Sequence, residues 1–510
     1  MKKKLFTLGL AIASILSASA VVVITPDTGV NTDAIQKAVD ANPTETVFEL
    51  QRNGVYIMDK QYIFTRAITL NAQSGTGAMP IVDVVTDQTG AKPSQVFEFQ
   101  NNLTLNGIYF NGNTRGGGIV SHMFRGIAAN LTVNISNCYF DFQEQTVVRL
   151  DNSGCSVTFN NTIFRNISQL ANIDNGRIVD GRGNAENTFI YQNCTFYNIT
   201  GQPYRYSGTT SVINQIKVDH CTFYNSGYRM CLDEALNGIY TNNIMANCHW
   251  KANFSADNGV TPPAVVTGVI YIDSLKTAAD PTRSFTVTNN NIYDTPSMTA
   301  AYAANQIKVV KRPFTAANDP WLANNQLTIG NNIAEVLTFS NAPAMPIGFI
   351  SAYFAASGLS SFNTTANQNF YAEEQTGIDA PDVTTPFSFA YPGTALSATA
   401  STTGGPLGDP RWAPATSTGL NDVTSVVKIN VFPNPVVDFM NLTFGENASV
   451  KVNIYDMQGR TVHFDRDFRN VNSGETIQID LQSLSSGVYL YSIQAMVNGS
   501  LKLYNGKITK

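Results

Sequence analysis

The sequence carries little charge. Charged residues make up 14% of its 510 residues and the net charge is −5, whereas an average globular chain is about 25% charged. No run rich in lysine or arginine lies beyond the N-terminus, so nucleic acid is not expected as a partner. Only four histidines are present, and no Cys-x-x-Cys or Cys/His spacing predicts a zinc site. After residue 20 no apolar stretch reaches the ~20 residues that a membrane-spanning helix needs.

The first 20 residues have the pattern of a secretory signal peptide. Met1-Lys2-Lys3-Lys4 is followed by an apolar run over 5–16 and then by Ala18-Ser19-Ala20. A charged start, a short apolar core and an Ala-x-Ala site are the parts of such a peptide. We expect cleavage after Ala20. The first cysteine is Cys138, so an N-terminal lipoprotein anchor is not expected.

A short phrase recurs through the first two-thirds of the chain. It consists of an apolar–polar strand, an asparagine, a small residue and an aromatic or large apolar residue. Successive anchors from Phe110 to Met245 are separated by 30, 24, 32, 27 and 22 residues. The anchors are Phe110, Phe140, Phe164, Phe196, Phe223, Met245 and Tyr293. A repeat of this length with one strand-like core per unit is typical of a solenoid.

The sequence therefore predicts an all-β chain of several parts. After the signal peptide at 1–20, residues 21–100 are predicted to form an N-terminal cap with the first coils. This cap includes an amphipathic helix over 33–41 that would cover the first coil. Residues 101–415 read as a parallel β-helix, and 416–425 as a linker rich in small residues. Residues 426–510 contain seven short strand-like pieces, which predict a small immunoglobulin-like β-sandwich.

A second strand in each coil predicts a polar ladder. The strands are placed at 122–125, 147–151, 177–180, 211–214 and 230–233, with Phe124, Leu150, Val179, Ile213 and Leu232 stacked inward. Parallel strands of adjacent coils lie about 4.8 Å apart. The residues that follow would then share one outer corner, with three carboxylates among them: Arg125, Asp151, Asp180, Asn214 and Asp233.

Six cysteines in an exported chain raise the question of disulfides. Cys138, Cys194 and Cys221 occupy one position of the phrase, where we expect inward, packed thiols that behave as small apolar residues. Cys155, Cys231 and Cys248 lie elsewhere, and one disulfide among them stays open. His220 replaces the asparagine of the phrase, which we expect to point inward.

The C-terminal segment resembles the sorting domain of the Bacteroidetes type IX secretion system. The resemblance rests on Val431-Phe432-Pro433-Asn434-Pro435, on Val452-Asn453-Ile454-Tyr455-Asp456-Met457-Gln458-Gly459-Arg460, on Leu484-Ser485-Ser486-Gly487-Val488-Tyr489 and on Gly506-Lys507-Ile508-Thr509-Lys510. It implies that residues 426–510 engage the secretion machinery. It also implies passage across the outer membrane and removal of this domain. The remaining protein would be released or attached to the cell surface.

The body resembles the pectate-lyase-like right-handed parallel β-helix superfamily. The cap helix, the phrase over 103–113 and the ending Gly408-Asp409-Pro410-Arg411-Trp412 carry this resemblance. It implies the handedness of the coils and a polysaccharide partner. It does not fix an activity, because function resides in sites grafted on a fold.

Lyases of this fold need a cation to neutralise a uronate carboxylate and a base to abstract the adjacent proton. Candidate Ca²⁺ ligands are Asp151, Asp180 and Asp233; no other cofactor is predicted. Candidate catalytic groups are Arg182, Lys217 and Arg149. Candidate substrate-binding residues are Arg177, Arg229, Tyr204, Arg205 and Tyr206, because an exposed aromatic beside an arginine can stack on a sugar ring. Alternatively, the aspartates and asparagines stabilise the corners, and Tyr204-Arg205-Tyr206 stabilises its own loop.

A hydrolase of the same fold would need two or three suitably spaced carboxylates. Asn172-Ile173-Asp174 is the one Asn-x-Asp in the coils, and Asp233-Glu234 is their one adjacent acidic pair. Adjacent strand residues point to opposite faces, which disfavours that pair. The sequence thus favours an exported glycan-binding protein, with a uronate lyase as the alternative and hydrolytic or purely structural roles behind both.

Overall fold

In the computed structural model the chain folds into two compact units, Met1–Thr416 and Ser417–Lys510. Strands and helices are numbered in chain order. The structure describes residues 21–28, 32–114, 118–169, 172–205, 211–228, 230–232, 234–251, 265–266, 268–272, 280–309, 319–356, 387–414, 429–457, 460–465, 467–497 and 500–510.

The first unit is a right-handed parallel β-helix whose coils contribute to three long sheets. Among the described residues, sheet A has eleven strands in a single parallel order. They are β1 (Val22–Ile24), β2 (Val47–Leu50), β5 (Ile68–Ala72), β8 (Leu103–Asn106), β11 (Thr132–Ser136), β14 (Ser156–Asn160), β17 (Glu186–Gln192), β19 (Ile213–Asp219), β22 (Ala235–Thr241), β26 (Ser284–Thr288) and β29 (Leu327–Gly330). Each strand is short, so the sheet grows along the solenoid axis.

Sheet B contains the strand that ends each phrase. In the part of the chain that the structure describes, its nine strands are β3 (Val55–Met58), β6 (Ile81–Val84), β9 (Tyr109–Asn111), β12 (Tyr139–Gln143), β15 (Ile163–Ile167), β18 (Thr195–Ile199), β20 (Thr222–Ser226), β23 (Ile244–Ala246) and β27 (Asn291–Tyr293). Phe110, Phe140, Phe164, Phe196 and Phe223 are direct partners in register. Their consecutive ring centroids lie 5.0, 5.5, 4.9 and 4.4 Å apart, so the repeat predicted from the sequence is a continuous aromatic stack.

Sheet C has fewer described strands than sheets A and B, and its outward side chains include several charged residues. Its five strands in the described ranges are β4 (Tyr62–Phe64), β7 (Gln95–Phe99), β10 (His122–Gly126), β13 (Thr146–Leu150) and β16 (Arg177–Asp180). Two small parallel pairs continue the coils: β21 (Met230–Cys231) with β25 (Ile270–Tyr271), and β24 (Val265–Val266) with β28 (Lys308–Val309).

Corners of the coils use asparagine in the left-handed conformation. Asn137, Asn161, Asn193 and His220 have φ between 51° and 55°, a region that asparagine tolerates better than most residues. Asn137 is exposed and donates to Asn106 at 2.7 Å. The prediction that this position points inward is therefore wrong. His220 is partly exposed and contacts Asp219 at 3.1 Å.

The thiols of the phrase are packed as predicted. Cys138, Cys194 and Cys221 are buried and free, and so are Cys155 and Cys248. Burial raises the pKa of the Cys138 thiol to about 12. These side chains act as small apolar groups in the stack rather than as cross-links.

The two ends of the solenoid are built differently. Helix α1 (Ala34–Ala41) buries Ile35 and Val39 against the first coils. At the other end lie α2 (Pro296–Ala304), α3 (Asp319–Ala323) and α4 (Ile347–Ala355). In the described part of the chain no helix is both long and apolar enough to cross a membrane.

A segment over 387–412, which we call the strap, runs back along sheet B. Phe389 lies 5.5 Å from the rings of both Tyr197 and Tyr224. The Asp409 carboxylate accepts a hydrogen bond from Thr195 at 2.7 Å. Arg411 donates to Asn161 at 2.7 Å. The strap therefore buries the outer face of sheet B.

The second unit is an antiparallel β-sandwich. One sheet contains β30 (Ile429–Phe432), β31 (Phe439–Phe444) and β35 (Thr476–Asp480). The other contains β32 (Ala448–Asp456), β33 (Thr461–Phe464), β34 (Arg469–Val471), β36 (Val488–Val497) and β37 (Ser500–Thr509). Residues of both sheets, such as Leu442 and Val452, share one core. Its immunoglobulin-like character stays a prediction.

Candidate functional site

Sheet C brings four charged side chains into one row. Glu98 of β7, Arg125 of β10, Arg149 of β13 and Asp180 of β16 are direct partners in the register of neighbouring strands. At a spacing of ~4.8 Å between strands, each charged group lies within reach of the next. Two arginines thus occupy the centre of the row and a carboxylate lies at each end.

Asp151, which follows β13, joins the two central arginines. Its Oδ2 lies 2.7 Å from Arg125 Nη2, and its Oδ1 accepts from Arg149 Nε at 2.7 Å. Burial alone would raise the pKa of Asp151, but the hydrogen bonds from these arginines outweigh it and lower the pKa. The carboxylate is therefore ionised at neutral pH and holds both guanidinium groups in place.

Asp180 organises three further arginines. Its Oδ2 lies 3.2 Å from Arg205 and 3.9 Å from both Arg177 and Arg182. The Arg182 amide donates to Asp180 Oδ1 at 2.9 Å from a left-handed turn with φ 57°. Burial, opposed by Asp180 and assisted by Arg205, lowers the pKa of Arg177. Arg182 is the most exposed of the three side chains, at 45%.

His122 completes the group. Its Nδ1 lies 2.8 Å from Thr146 Oγ1, and its Nε2 lies 3.5 Å from Arg149 Nη1. Burial, assisted by Arg149, lowers the pKa of His122 to about 4, so the ring is neutral at pH 7. We call the whole group the arginine face. It comprises Glu98, His122, Arg125, Arg149, Asp151, Arg177, Asp180, Arg182 and Arg205.

A buried lysine lies beside the arginine face. Lys251 Nζ donates to the Ile173 carbonyl and lies 3.3 Å from Asp174 Oδ1, while the ring of Tyr228 lies 5.7 Å away. Burial lowers the pKa of Lys251 to about 8 although Asp174 opposes this. Asp174, the acid of the single Asn-x-Asp motif, is therefore paired with a lysine.

The predicted polar ladder is wrong in its register. Phe124 pairs with Val148 and not with Leu150, so Arg149 rather than Asp151 lies beside Arg125. Leu150 pairs with Gly126, where an added Cβ would come within 2.7 Å of Leu131. A shift by two residues keeps the alternation of inward and outward side chains, so the alternation could not reveal the error.

Two further strands assigned to that ladder lie elsewhere. Ile213 begins β19 of sheet A, and Met230–Cys231 pairs with Ile270–Tyr271. The structure therefore places Asn214 away from sheet C. Asp233 lies outside the described residues, as do Arg229 and Tyr206.

Two of the predicted site residues are not part of the arginine face. Lys217 lies in sheet A between Ile190 and Ile239, with its Nζ 3.3 Å from Asp219. Tyr204 is only 1% exposed and packs at 6.1 Å from Phe189. The prediction that Tyr204 is an exposed, sugar-stacking ring is therefore wrong. Arg149, Arg177, Arg182 and Arg205 do come together.

The carboxylates of the arginine face are committed to arginines. Asp151 accepts from Arg125 and Arg149, and Asp180 accepts from Arg205. Within the described ranges no group of three or more His, Cys, Asp or Glu side chains could hold a metal ion. The calcium site predicted at Asp151, Asp180 and Asp233 therefore stays a prediction, and the described residues offer no cluster of ligands that supports it.

Sequence reasoning missed Glu98 and did not assign a role to Arg125 or His122. Glu98 lies in a coil that begins before the first recognised phrase. Gln95–Phe99 does show the alternation of a strand, with Phe97 and Phe99 buried. Continuing the strand series backwards from residue 122 could therefore have found it.

Comparison with known proteins identifies the end of the chain. The model of the secretion system C-terminal sorting domain matches residues 430–503, which form most of the sandwich. The protein is thus exported across the outer membrane to the cell surface or the extracellular space. This match does not extend to the solenoid.

No curated protein matches the chain. Among solved structures, the tailspike protein gp49 from Acinetobacter baumannii bacteriophage Fri1, a capsular polysaccharide depolymerase, is similar at 11% identity with a TM-score of 0.24. That match covers 96% of this chain and 78% of the tailspike chain. A likeness this weak carries no argument about function, and the strand order of sheets A, B and C defines the fold.

Proposed function

We propose that this exported β-helix protein binds an anionic polysaccharide through its arginine face. The observation that carries the proposal is the gathering of five arginines with three carboxylates on one side of the solenoid. This leaves two positive charges in excess on a chain whose net charge is −5. A local positive region on an acidic protein attracts anionic ligands.

Guanidinium groups suit such a ligand. Each presents a planar fork that can donate two hydrogen bonds to a carboxylate or a sulfate group. Asp151 holds Arg125 and Arg149, and Asp180 lies among the other three arginines. Arginines that are already ordered lose less conformational entropy when a ligand binds.

A uronate lyase is the second candidate, and His122 is the observation that favours it. A β-elimination removes the proton next to the uronate carboxylate and expels the glycosidic oxygen, so it needs a base and a positive charge on the carboxylate. His122 is neutral and lies 3.5 Å from Arg149, which provides both groups. The ring is only 3% exposed, so a substrate would have to displace neighbouring side chains to reach it.

The test compares retention and cleavage on uronate polysaccharides. The purified protein is applied to immobilised polyuronates, and ultraviolet absorbance of the unsaturated product is followed in parallel, with and without Ca²⁺. We expect retention that weakens as salt rises, because exposed charge interactions are screened. Arg149→Gln should lose retention. Arg52→Gln is the matched control, because Arg52 lies between β2 of sheet A and β3 of sheet B, where it donates to the carbonyls of Gln73 and Gly77.

The outcomes separate the candidates. Retention without absorbance, lost in Arg149→Gln but not in Arg52→Gln, supports binding. A rise in absorbance that His122→Ala abolishes supports the lyase. Equal retention of both arginine variants would overturn the assignment of the arginine face.

A further inference from the structure

A cavity of about 450 Å³ lies in the wall of the last two coils. We call it the proline pocket. Its lining residues are Asp280, Pro281, Pro320, Trp321, Asn324 and Gln326. They come from the short 3₁₀ turn Asp280–Thr282 before β26 and from α3 with the turn before β29. The volume falls within the range of ~300 to 1,000 Å³ that small-molecule sites occupy.

The walls of the proline pocket are fixed by buried contacts. Arg283 is wholly buried, contacts the Asp280 carboxylate at 3.0 Å and stacks 4.8 Å from the ring of Trp321. Trp321 Nε1 donates to the Ile272 carbonyl at 3.3 Å, and Gln326 donates to the Asp280 carbonyl at 2.5 Å. The pocket is therefore preformed, so a ligand need not order it.

The lining selects for a neutral sugar. Pro281 and Pro320 are exposed rings that offer apolar surface for the C–H face of a pyranose. Asn324 is exposed and presents an amide that can both donate to and accept from hydroxyl groups. The Asp280 carboxylate can accept a hydrogen bond from a further hydroxyl group, whereas its negative charge would repel an anion. Two amides and a carboxylate make the pocket too polar for a purely apolar ligand.

The pocket lies on the same corner of the solenoid as Arg182. Arg182 precedes β17 of sheet A, whereas the two parts of the pocket precede β26 and β29 of that sheet. The separation is three to four strand spacings of ~4.8 Å, or about 14 to 19 Å along the axis. One oligosaccharide can span this distance.

We infer that the proline pocket binds a neutral sugar residue of the same polysaccharide whose acidic residues bind the arginine face. The part of this inference that concerns a shared polysaccharide rests on the proposed function. It implies a glycan of mixed composition, with neutral and acidic residues in one chain, rather than a homopolymer of uronate.

The first experiment isolates the pocket. The full chain is mixed with neutral tetrasaccharides of glucose, mannose and N-acetylglucosamine, and saturation-transfer NMR reports contact. We expect transfer to at least one of them, and an affinity about fivefold lower in Asn324→Ala, as for the loss of one or two hydrogen bonds. Leu322→Ala is the control, because Leu322 is an exposed residue of α3, two positions before Asn324, that does not line the pocket. No transfer to any of the three, or equal loss in both variants, would overturn the neutral-sugar site.

The second experiment tests the link to the arginine face. Binding of hyaluronan, which alternates acidic and neutral residues, is compared with binding of polygalacturonate. Asn324→Ala should weaken the first at least about fivefold and leave the second unchanged, while Arg149→Gln should weaken both. If neutral tetrasaccharides bind but neither polyanion does, the proposed function fails and the pocket stands alone. If Asn324→Ala leaves hyaluronan binding unchanged, the shared ligand is refuted.

Discussion

Glu186 gives the stability of this protein an unusual pH dependence. The side chain begins β17, is 3% exposed and accepts a hydrogen bond from the Cys155 amide at 2.6 Å through Oε2. Oε1 accepts no hydrogen bond from the described residues. Burial, with a contribution from neighbouring Glu234, raises the pKa of Glu186 from 4.5 to about 8. The folded protein therefore keeps Glu186 protonated at neutral pH.

The sign and size of the effect follow from proton linkage. Between pH 4.5 and about 8 the folded state holds one proton more than the unfolded state, so stability falls as pH rises. The contribution is complete below pH 4.5 and is lost as the pH passes through the folded pKa. A shift of this size corresponds to roughly 5 kcal/mol over the interval.

Urea unfolding followed by circular dichroism at pH 5 to 8.5 measures this directly. Glu186→Gln keeps the shape of a protonated carboxyl but cannot ionise, so its curve should lack this slope. Glu49→Gln, at a partly exposed glutamate of the same sheet, serves as control and should retain the wild-type slope. If the Glu186→Gln and wild-type slopes coincide, Glu186 is not the group responsible and the reasoning is refuted.

Three further predictions concern the core. Arg165→Met should lower the free energy of unfolding in urea by about 3 to 5 kcal/mol, because it leaves the carboxylate of Asp141 buried without its ion-pair partner at 2.6 Å. A decrease below ~1 kcal/mol would contradict this. Phe196→Ala should cost a similar ~3 to 5 kcal/mol, since it opens a gap between rings stacked on both sides, whereas Phe464→Ala, at an exposed ring of the second unit, should change stability little. The buried free thiols should not react with a thiol reagent until denaturant is added; rapid reaction in the native protein would show that they are accessible.

The sequence predicted sheet B far better than sheet C, for a physical reason. In sheet B each phrase combines a left-handed corner residue, a small residue and a large one, as in Asn193-Cys194-Thr195-Phe196. These fix the position of most strands, but the last anchor is wrong by one residue, because Met245 pairs with Ile292 and not with Tyr293. The partners Phe110, Phe140 and Phe164 follow without error.

Sheet C lacks such a marker. Its strands show alternation alone, and alternation is unchanged by a shift of two residues. Leu150 and Val148 are both apolar, so alternation does not decide between them, and Val148 is the partner of Phe124. The error moved Asp151 into the row and Arg149 out of it, which turned a positive region into an apparent carboxylate cluster.

The proline pocket lies in segments between the regular strands of the coils. The proline pocket is made by a 3₁₀ turn and a five-residue helix, for which the repeat offers no template. In the second unit, by contrast, seven strand-like pieces are predicted and the described residues form eight strands. The short strand Arg469–Val471 was missed, because three residues show too little alternation to detect.

The strap changes how the solenoid should fold and unfold. A stack of coils is coupled only between neighbours, so it can ordinarily peel from one end, coil by coil. The strap ties the coil of Asn289 to the coil of Asn161 through contacts more than 100 residues apart in sequence. These coils should therefore melt as one cooperative block once the strap detaches. Because contacts between residues distant in sequence form late, docking of the strap should be a slow final step of folding. Once docked, the strap should slow the unfolding of these coils.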